Sequence, residues 1–245
     1  MHSEVCVKSA KVQFYLGCKA MPHLYQGLHL DMRGLEKVKQ LSQDSQNRIV
    51  FMPIYKSNVD IAVMHYANYY SELELGFSFG HFDTSSWTNF KMKRLKSIGL
   101  IPVKKYDSET VVQQLLSAVI ENNQFTTVYQ NDEMLKEGKL SLPASDDKMV
   151  KYLLASYPRL QMLKRNVKII PVTINYERFL ADKDLDTSGS FFTILQQLKN
   201  VPLMSLGNIF VNYGAPVDLH TYVQESQSKS LEDVSLSLTQ DLYKM

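Results

Sequence analysis

The stretch IVFMPIYKSNVDIAVMHY, Ile49–Tyr66, decides the fold. Its apolar part, Arg48–Ile54, is too short for a helix and contains a proline, so it predicts a buried strand. The polar cluster Tyr55–Asp60 follows, and within it Asn58 is placed to cap a helix. A strand that leads through a short polar segment into a helix is the building unit of α/β domains.

The same alternation of strand and helix continues along the chain. Further strands are predicted at Leu75–Gly80, Leu100–Lys104, Phe125–Tyr129, Val167–Tyr176 and Asn208–Tyr213. Helices are predicted at Gly34–Gln46, Trp87–Ser97, Ser108–Asn122, Lys148–Arg165 and Ser190–Lys199. Helices between strands imply crossover connections, which make the strands parallel. The sequence therefore predicts an α/β fold with a mixed, mostly parallel sheet flanked by helices.

Three segments are expected along the chain. Residues 1–33 form an N-terminal segment, residues 34–219 the α/β domain, and residues 220–245 a polar C-terminal tail. In the tail, helical spacing predicts a terminal helix docked on the domain through Leu231, Val234, Leu238 and Leu242. In sheets of this kind ligands bind beyond the carboxyl ends of the strands, so a site is expected in the loops there.

Composition limits the classes of function. The chain has 245 residues and a formal net charge of +2, so its bulk charge does not indicate a nucleic-acid partner. Its two cysteines, Cys6 and Cys18, form neither a disulfide framework nor a zinc-type cluster, so reduced thiols and no metal are expected. The N-terminal residues lack the apolar core of a signal peptide, and no apolar run is long enough to span a membrane. We therefore expect an intracellular protein.

A basic run, FKMKRLKS at Phe90–Ser97, interleaves cationic side chains with Met92 and Leu95. This amphipathic pattern is typical of a helix that lies on anionic lipid. It is equally typical of a solvated helix face. Peripheral membrane contact and a purely solvent-exposed surface both stay open as interpretations of this run.

The segment FMPIYKSNVD, Phe51–Asp60, resembles the first motif of the glycerol-3-phosphate/dihydroxyacetone phosphate acyltransferase family, a strand and proline followed by His-x-x-x-x-Asp. The resemblance covers roughly residues 34–219, judged by the order of four motifs, and it implies the family's α/β domain. In the family the histidine is the general base on the acceptor hydroxyl, and the aspartate orients it. By this resemblance Tyr55 and Asp60 occupy the catalytic positions, and Lys56 and Ser57 are expected to contact substrate.

Tyr55 in place of histidine is the departure with the largest chemical consequence. Imidazole titrates near neutral pH and can accept a proton, whereas a phenol has a pKa of about 10 and stays protonated. A carboxylate at Asp60 would raise the pKa of a neighbouring phenol further. Tyr55 is therefore expected to be a poor base, and loss of general-base catalysis costs about 10²–10⁴-fold in rate.

Two other motifs of the family are kept more closely. In SIGLIPVKKYD the resemblance assigns Gly99 and the paired lysines Lys104 and Lys105 to the site that holds the acceptor's phosphate. In IIPVTINYERFL it assigns Pro171 to the substrate groove and matches the Tyr-Glu pair that begins at Tyr176. The last of these matches concerns the scaffold more than the chemistry.

The third motif of the family is altered. In VYQNDEMLKEGKL, Asn131 stands where the family has glutamate, Asp132 where it has glycine, and Met134 where it has arginine. Lys139 keeps the Gly-Lys pair that ends the motif. Because a carboxylate beside a phosphate dianion is repulsive, Asn131, Asp132 and Lys139 are expected to form a degenerate substrate site.

Positions that shape the scaffold thus match the family, whereas positions that carry the chemistry do not. The family moves an acyl group from acyl-CoA to a hydroxyl of glycerol-3-phosphate or dihydroxyacetone phosphate in phospholipid synthesis, with acyl-CoA as co-substrate and no further cofactor. The resemblance implies a divergent acyltransferase that is weakly active or inactive. The alternative is a pseudoenzyme, a non-catalytic module that binds lipid or acyl-CoA and serves regulation.

Two histidines carry the remaining hypotheses. His81 follows the end of a predicted strand, so it is either a surface histidine or a replacement base that rebuilds the site. His65 lies on the apolar face of the helix that follows Asp60, where a packing role is expected.

Overall fold

The computed structural model describes residues 25–56, 58–80, 99–103, 108–131, 148–178, 206–226 and 230–243. Within these ranges it describes the backbone alone at Tyr55, Asn58, Gln130, Asn131, Leu231, Glu232 and Tyr243. The predicted helices Trp87–Ser97 and Ser190–Lys199 lie outside the described residues.

The elements alternate much as the sequence predicts. The strands are β1 (Gly27–Leu30), β2 (Asn47–Tyr55), β3 (Phe77–Gly80), β4 (Leu100–Pro102), β5 (Phe125–Asn131), β6 (Asn166–Tyr176), β7 (Asn208–Tyr213) and β8 (Val217–Asp218). The described helices are α1 (Met32–Ser42), α2 (Asn58–Tyr70), α3 (Glu109–Asn122), α4 (Lys148–Met162), α5 (Leu219–Glu225) and α6 (Leu231–Tyr243).

These strands form one mixed sheet of eight strands in the order β1-β7-β6-β2-β5-β3-β4, with β8 paired to β6. All neighbours from β6 to β4 are parallel, and β1 is parallel to β7. Only the pairings of β6 with β7 and with β8 are antiparallel. The predicted mixed, mostly parallel α/β sheet is therefore confirmed.

Helices cover both faces of the sheet, and β2 shows why. Ile49 and Phe51 pack with α1 and α2 on one face, whereas Val50 and Met52 pack with α3 and α4 on the other. All four side chains are essentially fully buried. A parallel strand buried on both faces needs an unbroken apolar run, which is what the stretch quoted at the outset supplies.

Pro171 lies inside β6, a central strand, at the point where that strand changes partner. Residues before it pair with β8 and residues after it pair with β7, while its own carbonyl accepts the Gly214 N–H at 2.9 Å. Because the N–H and C=O of one strand residue point to the same side, the donor that proline lacks faces this change of partner. The parallel ladder to β2 is therefore unbroken at Pro171.

Two helices end in the same hydrogen-bonded turn. At the end of α2, Leu73 N–H donates to Asn68 O at 3.0 Å and Glu72 N–H donates to Tyr69 O at 3.1 Å. The end of α4 has the equivalent pair of bonds, with Lys164 in the place of Glu72. Both Glu72 and Lys164 have positive φ, at 59° and 53°, which is the left-handed conformation that this turn requires.

The predicted α/β domain begins later than the sheet does, whereas its end at residue 219 lies next to the end of β8 at Asp218. Strand β1 pairs with β7 although it lies in the predicted N-terminal segment, and the boundary at residue 34 falls inside α1. The predicted terminal helix is present as α6, where Val234, Leu238 and Leu242 join the core on the α3–α4 face.

Candidate active site

The first-motif positions lie at the carboxyl edge of the sheet. Tyr55 is the last residue of β2 and is paired in register with Asn131, the last residue of β5. Lys56 follows Tyr55, and Asp60 lies in the first turn of α2. The structure thus brings four of the predicted site residues together where α/β sheets carry their ligands.

Asp60 is the centre of this cluster. Its side chain is 0% exposed, and its two carboxylate oxygens accept different donors. Oδ2 accepts the backbone N–H of Lys56 at 2.5 Å, and Oδ1 accepts the hydroxyl of Tyr176. A buried carboxylate needs such partners, because an unpaired charge in the protein interior is costly.

Two tyrosines lie near Asp60, and both come from the part of the sheet formed by β6, β7 and β1. Tyr176 ends β6, and Tyr25 precedes β1; their ring centroids lie 6.0 Å apart. Tyr25 is brought there because β1 and β7 run antiparallel to β6, so the amino ends of β1 and β7 meet the carboxyl end of β6. Gln26 N–H donates to Gly207 O at 2.8 Å and fixes that junction.

Both tyrosines remain protonated, and Tyr176 is the one whose hydroxyl donates to Asp60. Burial, together with the negative charge of Asp60, raises the pKa of Tyr25 to about 12. Burial and the bond to Asp60 raise the pKa of Tyr176 far above its ordinary value. A phenolate next to a buried carboxylate would place two like charges in a medium of low polarity, so neither tyrosine acts as a base here.

Lys56 does not extend from the site into solvent. Its Nζ donates to the carbonyl oxygen of Ile174, in β6, at 2.6 Å. Burial lowers the pKa of this ammonium, and the charge of Asp60 opposes that effect. In this arrangement Lys56 ties the end of β2 to the end of β6 through one of the three N–H donors of its ammonium.

Two other predicted substrate residues, Gly99 and Pro171, lie away from this edge. Gly99 precedes β4, at the amino edge of the parallel strands, where its φ of +87° makes a turn and its carbonyl accepts Ser78 N–H. Pro171 is paired with Met52, inside the sheet. Ser57, Lys104, Lys105, Asp132 and Lys139 lie outside the described residues, as does His81.

His65 has the packing role that its position predicts. The residue is 9% exposed, and its Nδ1 lies 2.7 Å from Ile61 O, one helical turn earlier. Burial lowers the pKa of the imidazole, which favours the neutral form.

A second set of hydrogen-bonded polar side chains, Glu177, Asn208 and His29, lies on the opposite face of the sheet from Asp60. The sequence did not predict it. Glu177 accepts Asn208 N–H at 2.9 Å and Asn208 Nδ2 at 3.0 Å. Asn208 Oδ1 therefore faces His29 and accepts its Nε2–H at 3.2 Å. The bonds from Asn208 lower the pKa of Glu177. Only the Tyr-Glu pair at Tyr176 signalled this set of side chains, and it was interpreted as scaffold.

Two further observations concern the described residues only. None of their helices combines the length and the apolar character needed to cross a lipid bilayer. Nor do they contain a group of three or more His, Cys, Asp or Glu side chains arranged to hold a metal ion.

No protein-family model matches this chain. It is similar to a glycerol-3-phosphate acyltransferase of Pasteurella multocida, at 22% identity over 228 residues, which covers 82% of this chain and 25% of the relative. Relatives of the same name from Actinobacillus pleuropneumoniae and Shewanella loihica are 23% and 21% identical, covering 82% and 86% of this chain. The chain thus spans about a quarter of the length of the curated relatives it matches.

Among solved structures, the chain is similar to the 1-acyl-sn-glycerophosphate (LPA) acyltransferase PlsC from Thermotoga maritima. The TM-score is 0.41 at 12% identity, with 86% of this chain and 80% of that chain covered.

The architecture defines the class as an α/β domain with its polar cluster at the carboxyl edge of a mostly parallel sheet. Within that class, the similarity to curated enzymes over most of the chain supports an acyltransferase family.

Proposed function

We propose that this chain is a divergent member of the glycerol-3-phosphate/dihydroxyacetone phosphate acyltransferases, in which acyl transfer from acyl-CoA is weak or lost. The main observation behind this proposal is that Tyr55 stands where the family has its catalytic histidine. Tyr55 ends β2 one residue before Lys56, whose N–H is bonded to the Asp60 carboxylate. The names of the relatives support the substrate class, a phosphorylated three-carbon acceptor and an acyl donor. Peripheral contact with a membrane surface is part of the proposal and is supported by the basic run Phe90–Ser97.

The chemistry follows from what acyl transfer demands. A hydroxyl attacks the thioester carbonyl of acyl-CoA only as its proton is removed, and the thiolate of CoA leaves. A phenol at position 55 holds its own proton at neutral pH, because its ordinary pKa is about 10. The rate should therefore lie about 10²–10⁴-fold below that of a site with a working base.

A non-catalytic binding module is the second candidate, and one observation favours it. Asp60 has partners within the fold, the Tyr176 hydroxyl and the Lys56 N–H, and those contacts need no base at position 55. A scaffold stabilised in this way keeps its shape without the chemistry. In this case the chain binds acyl-CoA or lipid and does not turn it over.

Binding separates these proposals from an unrelated function. Calorimetric titration of the purified chain with a long-chain acyl-CoA, and with free CoA as the matched control, should give acyl-dependent binding. Equal affinity for the two ligands, or no binding of either, would mean that the acyl-CoA assignment is wrong. Turnover, measured separately, then decides between a weak enzyme and a binding module.

A further inference from the structure

Two arginines lie at the amino edge of the parallel strands, opposite the edge that carries Asp60. Arg48 is the second residue of β2, and Arg165 directly precedes β6. We infer that the two guanidinium groups form a binding site for a small, soluble oxyanion of the phosphate type. At ~3.3 Å per residue, Arg48 lies about 23 Å from Tyr55 along β2, so this site is separate from the candidate active site and independent of acyl transfer.

The register of β2 and β6 brings the two arginines together. Arg48 is paired with Val167, which lies two residues after Arg165. Side chains two residues apart along a strand share a face, so Arg48 lies on the α3–α4 face together with Val50. Burial, and after it the neighbouring positive charge of Arg165, lower the pKa of Arg48. Two like charges are therefore close to each other at this edge.

Arg48 is bonded to backbone carbonyls and to no carboxylate among the described residues. Its side chain is largely buried, since the residue is 8% exposed. Nε donates to Glu121 O at 3.3 Å, and Nη1 donates to Ser45 O at 2.7 Å and to Asn47 O at 3.2 Å. The carboxyl ends of α3 and α4 supply only about half a negative charge each, against two full positive charges. A buried charge ordinarily has an opposite charge as its partner, and this pair lacks one.

The acidic side chains that lie near these arginines in the fold do not fill that place. The Glu121 carboxylate forms an ion pair with Arg159 at 3.2 Å. Asp44, in the turn before β2, is exposed and accepts the Gln46 N–H at 2.8 Å. In the part of the chain that the structure describes, neither acid forms an ion pair with Arg48 or Arg165.

Both guanidinium groups keep N–H donors for a ligand. An arginine has five N–H groups, and Arg48 gives three of them to the carbonyl oxygens. The two on its Nη2 have no hydrogen-bond partner among the described residues. The Nε of Arg165 is buried and also has no partner there. A buried donor without an acceptor is costly, so an oxyanion that accepts from both arginines would be stabilised.

The donors also select the class of ligand. Guanidinium groups bind phosphate oxygens through paired N–H bonds, which fix the orientation of the anion. Two neighbouring positive charges attract a dianion about twice as strongly as a monoanion, which favours phosphate over a single carboxylate. Because Arg48 is recessed, the flat surface of a bilayer does not reach it. The expected ligand is therefore free phosphate or the phosphate group of a small soluble compound.

Calorimetric titration at constant ionic strength tests the site, with inorganic phosphate in one arm and methyl phosphate in the other. The native protein should bind inorganic phosphate with a Kd of about 1 mM or tighter. Arg165→Gln should weaken the affinity about tenfold or more, because hydrogen bonds to the charged ligand are lost. Arg33→Gln, which removes an exposed arginine of α1, is the matched control and should leave the affinity unchanged.

The two arms separate the sources of the phosphate. Binding of both ligands would mean that the site accepts an ester-bound phosphate group, and binding of inorganic phosphate alone would restrict it to the free ion. No binding to the native protein, or binding that Arg165→Gln leaves unchanged, would overturn the inference.

A second measurement needs no variant and so covers failure of Arg165→Gln to fold. In NMR spectra of the native protein, inorganic phosphate should shift the Nε–H signals of Arg48 and Arg165 and leave that of Arg33 in place. Unshifted signals from both arginines would also overturn the inference. Neither measurement uses acyl-CoA, so a failure of the proposed acyl transfer is distinguishable from a failure of this assignment.

Discussion

The hydroxyl of Tyr176 donates to the carboxylate of Asp60, 116 residues earlier in the chain, and joins the end of β6 to the first turn of α2. The same carboxylate accepts the N–H of Lys56, so the end of β2 is part of this junction. Three elements at the carboxyl edge of the sheet are therefore held together through one buried side chain.

Replacing Asp60 by asparagine tests the strength of this junction. An amide of the same shape offers one oxygen and one NH2, so it cannot accept from both Tyr176 and Lys56, and it loses the charge-assisted character of both bonds. The free energy of unfolding in urea should fall by about 1–3 kcal/mol. Glu36→Gln, an exposed acid-to-amide change in α1, is the matched control. It should lower the free energy of unfolding by less than about 0.5 kcal/mol. Equal losses of unfolding free energy in the two variants would mean that the hydrogen bonds of Asp60 add nothing beyond the loss of one charge.

The pH dependence of stability tests the surroundings of Tyr25. Its pKa is raised from 10 to about 12 in the folded protein, by burial and by Asp60, so the unfolded chain loses this proton first. The stabilisation is complete below pH 10 and is lost as the pH rises through about 12. The free energy of unfolding of Tyr25→Phe, measured with urea, should therefore decline less steeply with pH than that of the native protein between those limits. At neutral pH the variant should be no less stable, because this hydroxyl has no hydrogen-bond partner among the described residues.

Tyr70→Phe is the control for that experiment, since Tyr70 is 69% exposed. Its stability should follow the native curve across the alkaline range. A Tyr25→Phe curve that also follows the native one would contradict the burial and charge assigned to Tyr25.

The fold was largely predictable because its signals are local. The apolar run of β2 and the helical spacing of α3, with Ser108 as its cap, each depend on residues close in sequence. Strand β1 has no such signal, because it is a short edge strand defined by its pairing with β7. Residue 34 was consequently set as a boundary, although the sheet begins before it.

The candidate site was predictable only in part. The placement of Tyr55 and Asp60 at a strand-to-helix junction follows from the motif, because their spacing is local. The tyrosines near Asp60 do not, since Tyr176 and its ring neighbour Tyr25 belong to parts of the chain distant in sequence. The resemblance implies that Lys56 contacts substrate, but the bond from its ammonium to Ile174 O comes from a strand distant in sequence and has no local signal.

The end of α4 offers a stabilising change. Lys164 has a φ of 53°, and its N–H donates to Gln161 O at 2.9 Å while Arg165 N–H donates to Leu160 O at 3.1 Å. Glycine adopts this left-handed conformation without the steric cost that a Cβ brings. Lys164→Gly should raise the free energy of unfolding by about 0.5–1 kcal/mol. Lys164→Ala, which keeps the Cβ, should leave it unchanged; a glycine variant less stable than the alanine variant would contradict this geometry.

Gly207 is the counterpart, a position that needs glycine. Its φ is +71°, and a Cβ there would lie 2.2 Å from the Glu177 carboxylate oxygen that binds Asn208. Gly207→Ala should therefore lower the free energy of unfolding by about 1–3 kcal/mol. In the double variant with Glu177→Ala the loss should be smaller than the sum of the two single losses by about 0.5 kcal/mol or more. Additive losses would show that the carboxylate yields without cost and that the backbone conformation alone matters.

The central claim is that this acyltransferase-like chain lacks a working base. The most direct test is the transfer of label from acyl-CoA to glycerol-3-phosphate or dihydroxyacetone phosphate by purified native protein, beside Asp60→Asn with its folding verified. The account predicts transfer at or near the level without protein, or at a low rate that Asp60→Asn does not change by more than a few-fold. Rapid transfer by the native chain that Asp60→Asn abolishes would mean that the site still works and that the account is wrong.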